Sequence, residues 1–269
     1  MGQRMKAASD LVHILFRVAG QLGRTLLNRA KQGLVSENCR MRQDNPAVRF
    51  PPCDLSTTAL NHCDYRLYLD SGLAHAQFVV ETIRSHTDAR DLAVCEWGCG
   101  PGRVIQHLPQ LDDGIARLVG TDRHHATIDW CRQNLPHLEF LSHGMHPPLT
   151  LANNSMDVVY CCAVFSHLAE PLHHAWVTEI LRLLRPGGLL IASFHGNRYE
   201  DRMAATELDD YRNGGLVVHP KGREGETDFV SFAGDRFVRE HLLNLFDNIT
   251  RLDNAPFLQT VWAATAPAA

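Results

Sequence analysis

Residues 92–103 read Leu-Ala-Val-Cys-Glu-Trp-Gly-Cys-Gly-Pro-Gly-Arg, and this stretch decides the fold of the 269-residue chain. The apolar run that begins at Leu92 is typical of a buried strand, which ends where glycines occupy every second position from Gly98 to Gly102. The pattern of residues 104–111 indicates a helix after the turn. A glycine turn between a strand and a helix presents backbone N–H groups to a ligand, so we expect a cofactor here.

The acid in this stretch, Glu96, indicates which cofactor it is. A dinucleotide-binding turn has a third glycine, but that position is Arg103 when counted from Gly98, and Ile105 when counted from Gly100. An NAD-dependent oxidoreductase is therefore disfavoured. A carboxylate beside closely spaced glycines suits an ammonium group attached to a flat, uncharged nucleoside.

This arrangement resembles motif I of the class I, Rossmann-like methyltransferases that depend on S-adenosylmethionine (SAM), whose pattern is acid-x-Gly-x-Gly-x-Gly. The resemblance implies that Glu96 binds the methionine amino group, directly or through water. It also implies that Gly98 and Gly100 let the cofactor approach the backbone, with Gly102 completing the motif.

Two later strands fit the same resemblance. Residues 117–122 read as a second strand ending in Asp122, at the distance from Gly98 expected of an acid that binds ribose hydroxyls. A third strand is expected over Glu139–Ser142. The turn after it carries no carboxylate for the adenine amino group, which departs from the family. Met145 is the candidate for packing on adenine, with Ser142 or His143 at its polar edge.

The next segments complete the family pattern. Residues 158–165 are expected to form a buried strand, and the resemblance places the backbone of Cys162 and Ala163 beside the methionine part of the cofactor. A helix over residues 173–184, an Arg-Pro-Gly-Gly turn and a strand over residues 189–194 follow. The order predicts an α/β fold: a doubly wound, mostly parallel seven-stranded sheet with helices on both faces.

Two histidines are candidates for a catalytic base. His167 and His195 are expected at the ends of the two strands nearest the transferred methyl group, and histidine can accept a hydroxyl proton near neutral pH. The alternative is that each is a hydrogen-bonded structural residue. The sequence suggests no metal site, because its loop histidines are isolated from other ligands.

Composition narrows the remaining choices. The chain is 45% hydrophobic, which suits one main domain, and its net charge of −4 gives no indication of a nucleic-acid partner. The eight cysteines include no Cys-x-x-Cys pair. Their scattered placement is typical of free thiols in a reducing compartment, so a cytoplasmic location is expected.

The two ends of the chain differ from this core. Residues 1–50 are expected to form an extension, with a basic amphipathic helix over residues 8–34 and a proline-containing linker over residues 45–54, before a methyltransferase domain over residues 51–269. The helix would lie on the inner face of a membrane, pack on its own core, or pair with a second copy in a homodimer.

The segments that flank the motifs are expected to choose and cover the substrate. Residues 65–84 are helical in pattern but interrupted at residues 70–72, with Tyr68 and Gly72 as candidates for a lid; a helix N-cap explains the same interruption. Residues 196–225 read as an insertion or substrate lid. Residues 229–232 are expected to form a strand, residues 235–245 a helix and residues 257–265 the last strand.

The end of the chain, with His195-Gly196 and the strand around Trp262, loosely resembles stand-alone methyltransferases of glycan or polysaccharide assembly. That resemblance implies a sugar hydroxyl, or another small-molecule hydroxyl, as acceptor. An aromatic or polyketide-type metabolite is the alternative acceptor. From a different class, the chain would be a non-catalytic module that binds SAM or another nucleoside.

Overall fold

A computed structural model describes residues 32–268 of the chain. The expected amphipathic helix over residues 8–34 therefore lies almost entirely outside the described residues. None of the described helices is both long enough and apolar enough to cross a membrane.

The chain divides into two compact units, and the first comprises Met1–Val48 with Asp64–Arg66. Its described part contains helix α1 over residues 32–44. Within this unit, Glu37 pairs with Arg66 and also with Arg40, at 3.1 Å. The backbone N–H of Tyr65 donates to the side-chain oxygen of Asn38 at 3.0 Å.

The second unit comprises Arg49–Cys63 with Leu67–Ala269, and it contains the sheet. Helix α3 begins at Tyr65, in the first unit, whereas α2 and the elements after α3 lie wholly within the second unit. The helices are α2 (Cys53–Leu60), α3 (Tyr65–His86), α4 (Leu108–Leu111), α5 (His125–Asn134), α6 (Glu170–Leu183) and α7 (Ala205–Arg212). The strands are β1 (Leu92–Trp97), β2 (Ile115–Asp122), β3 (Glu139–Ser142), β4 (Met156–Cys161), β5 (Leu184–Phe194), β6 (Leu216–Pro220), β7 (Phe229–Ala233), β8 (Asp247–Leu252) and β9 (Thr260–Thr265).

Seven strands form one sheet in the order β3-β2-β1-β4-β5-β9-β8. Strands β1 to β5 are parallel, while β9 runs antiparallel to both β5 and β8. The strand order reverses between β1 and β4, and ligands of open α/β sheets bind at the carboxyl ends of strands at such a point. The expected doubly wound, mostly parallel seven-stranded sheet is confirmed.

The sheet is covered on both faces because successive side chains of its strands point in opposite directions. Cys95 and Trp97 of β1 pack in one core with Trp176 of α6, whereas Val94 packs in a second core with Val79 of α3. Every residue of β1 is buried. Burial on both faces explains why this strand reads as a continuous apolar run rather than an alternating one.

Several boundaries differ from the sequence prediction: β4, for example, ends at Cys161 rather than at residue 165. The helix expected over residues 104–111 is a 3₁₀ turn over Ile105–His107 followed by one α-helical turn. Strand β5 begins at Leu184 rather than at residue 189, so Arg-Pro-Gly-Gly is not a separate turn. It is an irregularity inside the strand, since the register against β4 shifts there and Gly187 has a φ of +76°.

The strands expected over residues 229–232 and 257–265 are present as β7 and β9, but only β9 belongs to the main sheet. Strand β7 does not join the main sheet, because it pairs antiparallel with β6 in a separate hairpin. The main sheet ends instead with β8, which the sequence analysis missed. The burial pattern of β8 is mostly exposed, as suits an edge strand, and this removes the apolar alternation on which strand prediction depends. The helix expected over residues 235–245 covers residues 235–242 and is mostly π-helical.

Helix α3 continues through residues 70–72, so the expected interruption is wrong. Gly72 is tolerated there because the helix lies against the motif turn: a Cβ at this position would overlap the backbone oxygen of Arg103. The Tyr68 hydroxyl donates to the backbone oxygen of Pro101 at 2.9 Å, and its side chain is fully buried. Tyr68 and Gly72 therefore support the glycine turn rather than form a lid.

A disulfide joins Cys53 to Cys63, so the expectation that all cysteines are free thiols is wrong. Asn61 ends helix α2 in the left-handed conformation, with a φ of +59°. This reversal brings the two cysteine Cα atoms to 5.0 Å. Spacing alone could not reveal the pair, because pairing depends on the direction in which the chain leaves the helix.

Candidate cofactor site

The glycine turn after β1 is bonded to the neighbouring strand β2. The backbone N–H groups of Gly98 and Cys99 donate to the carbonyl oxygen of Thr121 at 2.8 and 2.9 Å. Gly98 has a φ of +76°, and a Cβ there would overlap the Val164 side chain. Only glycine fits this position, because it combines a left-handed backbone with no room for a side chain.

Glu96 is almost completely buried beside this turn. One of its carboxylate oxygens, Oε2, accepts the Ile105 N–H at 3.1 Å and the Tyr160 hydroxyl at 3.0 Å. Burial raises the pKa of Glu96 to about 8, although these hydrogen bonds and the positive charge of Arg103 oppose the rise. A cation bound beside Glu96 would stabilise the ionised carboxylate and lower this pKa.

Asp122 lies at the end of β2, on the other side of the turn. Its two carboxylate oxygens accept backbone N–H groups from Gly100 at 2.9 Å and from His124 at 2.8 Å. A carboxylate has further lone pairs after accepting two such bonds. Asp122 can therefore hold the glycine turn in place and still accept hydroxyl donors from a ligand.

A cavity that is open to solvent lies at these strand ends. It brings together most of the residues that the sequence assigned to the site. The predicted residues that line it are Glu96, Gly98, Gly100, Asp122, Met145, Cys162, Ala163 and His167. His143, the candidate for the polar edge of adenine, lines it too, so parts of the chain from β1 to β4 contribute to one site.

Gly102 and His195 are not among the residues that line this cavity. A Cβ at Gly102 would meet the side chain of Leu135, so this glycine allows α5 to pack closely. The His195 ring packs at 4.4 Å from the Tyr199 ring and at 5.7 Å from the Phe232 ring, as distances between ring centres. Burial lowers the pKa of His195 to about 4. The roles expected for these two residues stay predictions.

The ring of His167 is held in one orientation. Its Nδ1 lies 2.9 Å from the carbonyl oxygen of Phe229, and a carbonyl only accepts hydrogen bonds. Nδ1 therefore carries the proton, and Nε2 is left with a free lone pair. Burial lowers the pKa of His167 below its usual value of 6.5, so the ring is neutral near pH 7. A neutral imidazole with this tautomer can accept a proton through Nε2.

Arg103 is a residue of the cavity wall that the sequence analysis did not assign. Its guanidinium donates to the Ser71 hydroxyl at 3.0 Å. Among the described residues, no carboxylate forms an ion pair with it, whereas Arg117, for example, pairs with Glu139 at 2.8 Å. A half-buried guanidinium at a cavity wall favours an anionic group of a ligand. The signal was present, since Arg103 directly follows the glycines.

The rest of the wall comes from distant parts of the chain. Thr58, Ala59 and Leu60 of α2 line the cavity, and so do Gly225 and Thr227 of the β6–β7 loop. No local motif marks these residues, because they reach the cavity only through tertiary packing.

The β6–β7 loop is bonded to both sides of the cavity. Arg123, which follows β2, donates to the Gly225 carbonyl at 2.9 Å and to Glu226 at 2.5 Å. The Gly225 N–H donates to the carbonyl of His167, which follows β4, at 2.8 Å. This loop belongs to the 196–225 segment and its continuation, so part of the expected lid does lie at the cavity.

Comparisons with known proteins agree with this geometry. Residues 95–192 match the family model described as a methyltransferase domain. A probable S-adenosylmethionine-dependent methyltransferase of Mycolicibacterium smegmatis is 34% identical over 100 residues, covering 37% of each chain. Residues 95–192 are thus similar to the methyltransferase domains of SAM-dependent enzymes. The matched segment runs from β1 into β5 and so includes both acids of the site.

Two further comparisons point the same way, one with a sequence relative and one with a solved structure. A trans-aconitate 2-methyltransferase of Azoarcus sp. is 34% identical over 101 residues, which is 36% of each chain. The chain thus spans little more than a third of the length of these curated relatives. The crystal structure of DesVI from Streptomyces venezuelae has the same fold, with a TM-score of 0.55 and 15% identity over 76% of this chain and 97% of that one.

Residues 32–268, which the structure describes, place no three His, Cys, Asp or Glu side chains together in a group that could hold a metal ion. The charged and titratable groups discussed above are two buried carboxylates, a guanidinium and a neutral imidazole, and all four line one cavity.

Proposed function

We propose that this protein transfers the methyl group of SAM to an oxygen atom of a small-molecule acceptor. The observation that supports the proposal most is the convergence of Glu96, Asp122 and the glycine turn on one cavity. SAM has an ammonium, a carboxylate, a ribose and a flat adenine, and this cavity has a complementary group for each. When bound, SAM supplies a methyl group attached to a positively charged sulfur. A nucleophile attacks the methyl carbon in line with the C–S bond, and the sulfur leaves as the neutral thioether of the product.

The methionine end of SAM carries both charges of an amino acid. In this proposal Glu96 binds the ammonium and Arg103 binds the carboxylate. The two side chains interact: burial raises the pKa of Glu96 to about 8, and the nearby positive charge of Arg103 opposes that rise. Cys162 and Ala163, which also line the cavity, border the same end of the cofactor.

The nucleoside end is assigned to the other side of the turn. Asp122 accepts the ribose hydroxyls, since its carboxylate is already fixed by the N–H groups of Gly100 and His124. Met145 packs on the adenine ring, with His143 at its polar edge. Both residues line the cavity, and the expected carboxylate for the adenine amino group is absent from this turn.

We assign the role of general base to His167. We propose that the acceptor is a small molecule with a hydroxyl group, such as a sugar or an aromatic metabolite. A hydroxyl is a weak nucleophile until it loses its proton. His167 is neutral, its Nδ1 is engaged with Phe229, and its side chain lines the cavity. Its Nε2 can therefore take that proton as the oxygen attacks the methyl group.

The test of this role is to compare turnover in His167→Ala, His195→Ala and the unaltered protein, following S-adenosylhomocysteine (SAH) formation with a panel of sugar and aromatic hydroxyl acceptors. We expect kcat to fall by about 10²-fold or more in His167→Ala, as for the loss of a general base. The matched control is His174→Ala, since His174 is an exposed residue of α6 that does not line the cavity.

If both His167→Ala and His195→Ala keep full turnover, methyl transfer relies on positioning alone and the base assignment is wrong. If the unaltered protein binds SAM and releases no SAH with any acceptor, the protein is a SAM-binding module without catalysis.

A second candidate acceptor is a carboxylate. Several similar proteins carry the name trans-aconitate 2-methyltransferase, including those of Azoarcus sp. and Variovorax paradoxus. A carboxylate is already deprotonated at neutral pH and needs no base. Turnover on carboxylic acids that survives His167→Ala, together with no turnover on hydroxyl acceptors, would favour this candidate over the first.

A further inference from the structure

A chain of partly buried hydrogen bonds begins at the cavity wall, at the end of β4. The N–H of Ala163 donates to the hydroxyl of Ser193 at 2.8 Å. That hydroxyl donates to the side-chain oxygen of Gln259 at 2.6 Å, and the Gln259 amide donates to the Ser166 hydroxyl at 2.7 Å. The chain connects the ends of β4 and β5 with the residue that precedes β9.

The residue at the cavity end of this chain has an unfavourable backbone conformation. Ala163 has a φ of +62°, and its side chain is exposed at the cavity. The left-handed conformation is unfavourable for a residue with a Cβ and persists where the surroundings hold it. The hydrogen bond from the Ala163 N–H to Ser193 is a contact that can hold it in this conformation.

The two serines are suited to this role because both are almost fully buried. The Ser193 hydroxyl uses a lone pair for Ala163 and its proton for Gln259, so each partner fixes the other. Removal of Gln259 would leave buried donors and acceptors without partners, which costs more than the hydrogen bond itself contributes. The hydroxyl would then turn, and the Ala163 backbone would lose its support.

Fixing Ala163 also fixes its neighbour. A peptide group is planar and trans, so its N–H and C=O point in opposite directions. With the Ala163 N–H directed at Ser193, the carbonyl oxygen of Cys162 is directed away from Ser193. Cys162 and Ala163 both line the cavity, so the orientation of this peptide decides which backbone atoms a ligand meets.

We propose that Gln259, acting through Ser193 and supported by Ser166, is a positioning residue that sets the Cys162–Ala163 peptide against the methionine end of SAM. The inference rests on the proposed function, because that function places SAM in this cavity. Gln259 itself does not line the cavity, so its effect on binding passes through the hydrogen-bond chain.

The experiment is calorimetric titration of the full chain and of Gln259→Met with two probes, SAH and 5′-methylthioadenosine. The second probe has the nucleoside and the sulfur but lacks the amino acid end. We expect Gln259→Met to bind SAH about tenfold more weakly and to bind 5′-methylthioadenosine as the unaltered protein does. Equal weakening of both probes, or no weakening of SAH in a folded variant, would overturn the proposal.

Ser231→Ala is the matched control for loss of a buried hydroxyl. Ser231 is as buried as Ser193, and its hydroxyl donates to the Phe165 carbonyl at 3.0 Å rather than to a member of the hydrogen-bond chain at Ala163. We expect it to lower the melting temperature and leave SAH affinity unchanged. A weakening of SAH binding in Ser231→Ala equal to that in Gln259→Met would show that general destabilisation explains both.

A rescue variant keeps the proposal testable if Gln259→Met does not fold. Glycine adopts a positive φ without a steric penalty. In Ala163→Gly the hydrogen bond to Ser193 is therefore no longer needed to hold residue 163 in the left-handed conformation. We expect Gln259→Met in the Ala163→Gly background to fold and to bind SAH within about threefold of Ala163→Gly alone. A loss of tenfold in that background would contradict the role assigned to Ala163. Failure of the unaltered protein to bind either probe would instead refute the proposed function.

Discussion

The two sides of the cavity are built in different ways. The side at β1 and β2 is formed by residues close in sequence: the glycine turn, Glu96 and Asp122 lie within 27 positions, from 96 to 122. The opposite side is formed by α2, by His167 and by the β6–β7 loop, whose Gly225 is bonded to Arg123 across a separation of 102 residues. The difference teaches that the cofactor-binding side is encoded locally, whereas the remainder depends on the whole fold.

Among substitutions that test this difference, Asp122→Asn is expected to have the largest effect on SAH affinity. An amide cannot accept from Gly100 and His124 as a carboxylate does, and it weakens any bond to a ribose hydroxyl. We expect SAH affinity to fall about 100-fold, roughly 3 kcal/mol, as for loss of hydrogen bonds to a charged group. Calorimetry measures this directly.

The control for that change is Asp157→Asn. Asp157 also accepts a backbone N–H from a neighbouring strand, that of Ala93 at 2.8 Å, but it does not line the cavity. It should lower stability without changing SAH affinity. Similar affinity losses in both variants would mean that Asp122 supports the sheet rather than the ligand.

A second prediction concerns pH and Glu96. The pKa of this buried acid is about 8 in the free protein, and a bound ammonium lowers it, so binding at neutral pH releases a proton. SAH affinity should therefore rise with pH. The rise should be about tenfold per pH unit between the pKa that Glu96 has in the complex and pH 7, and the affinity should level off above pH 8. Calorimetric titration with SAH in buffers of different ionisation enthalpy measures the number of protons released on binding.

Glu96→Gln provides the control, since its affinity should not follow this pH dependence. The same linkage acts on folding with a defined sign. The pKa of Glu96 is raised above its usual value of 4.5, so its contribution to stability is complete below pH 4.5 and is lost as pH rises through about 8. A pH-independent SAH affinity in the unaltered protein would contradict the assignment of Glu96 to the ammonium.

Arg103→Met sharpens the comparison at the boundary between the two sides. If Arg103 holds the ligand carboxylate, the variant should bind SAH about tenfold more weakly, in the range expected of one charge-assisted hydrogen bond. It should bind 5′-methylthioadenosine normally. Arg117→Met is the control, because Arg117 pairs with Glu139 away from the cavity. Equal losses for both ligands would reassign Arg103 to a structural role.

The smallest effect on binding is expected from the disulfide beside α2. Replacing Cys53 and Cys63 by serine removes a crosslink that closes a sequence separation of 10 residues, which should cost about 2–3 kcal/mol of stability. SAH affinity should change no more than about threefold, since Thr58–Leu60 form only one part of the wall. Urea denaturation measures the first quantity, with Cys39→Ser as the control for an exposed free cysteine. Unchanged stability would show that the disulfide does not hold α2.

The sequence predicted the central sheet and the cofactor side of the site because their signals are short-range. A strand buried on both faces reads as an apolar run. An acid at the end of such a strand lies at the carboxyl edge of a parallel sheet. Glu96 and Asp122 are found by such counting. The exposed edge strand β8 has no comparable pattern and was missed.

The other parts of the site could not be predicted for a different physical reason. The rings of His167 and His195 lie 6.3 Å apart, and both follow strands, so the sequence treats them alike. Only His167 lines the cavity, because the β6–β7 hairpin places the carbonyl of Phe229 against its Nδ1 while enclosing His195 with Phe232. That distinction depends on a hairpin whose partners are far apart in sequence.

The most direct test of the central claim is calorimetric titration of the purified, ligand-free protein with SAM, SAH and NAD in parallel. Binding of SAM and SAH at one site, and no binding of NAD, is the predicted result. Protein that is folded by circular dichroism and binds neither SAM nor SAH would contradict the account, and the glycine turn would then belong to another ligand or to the fold alone.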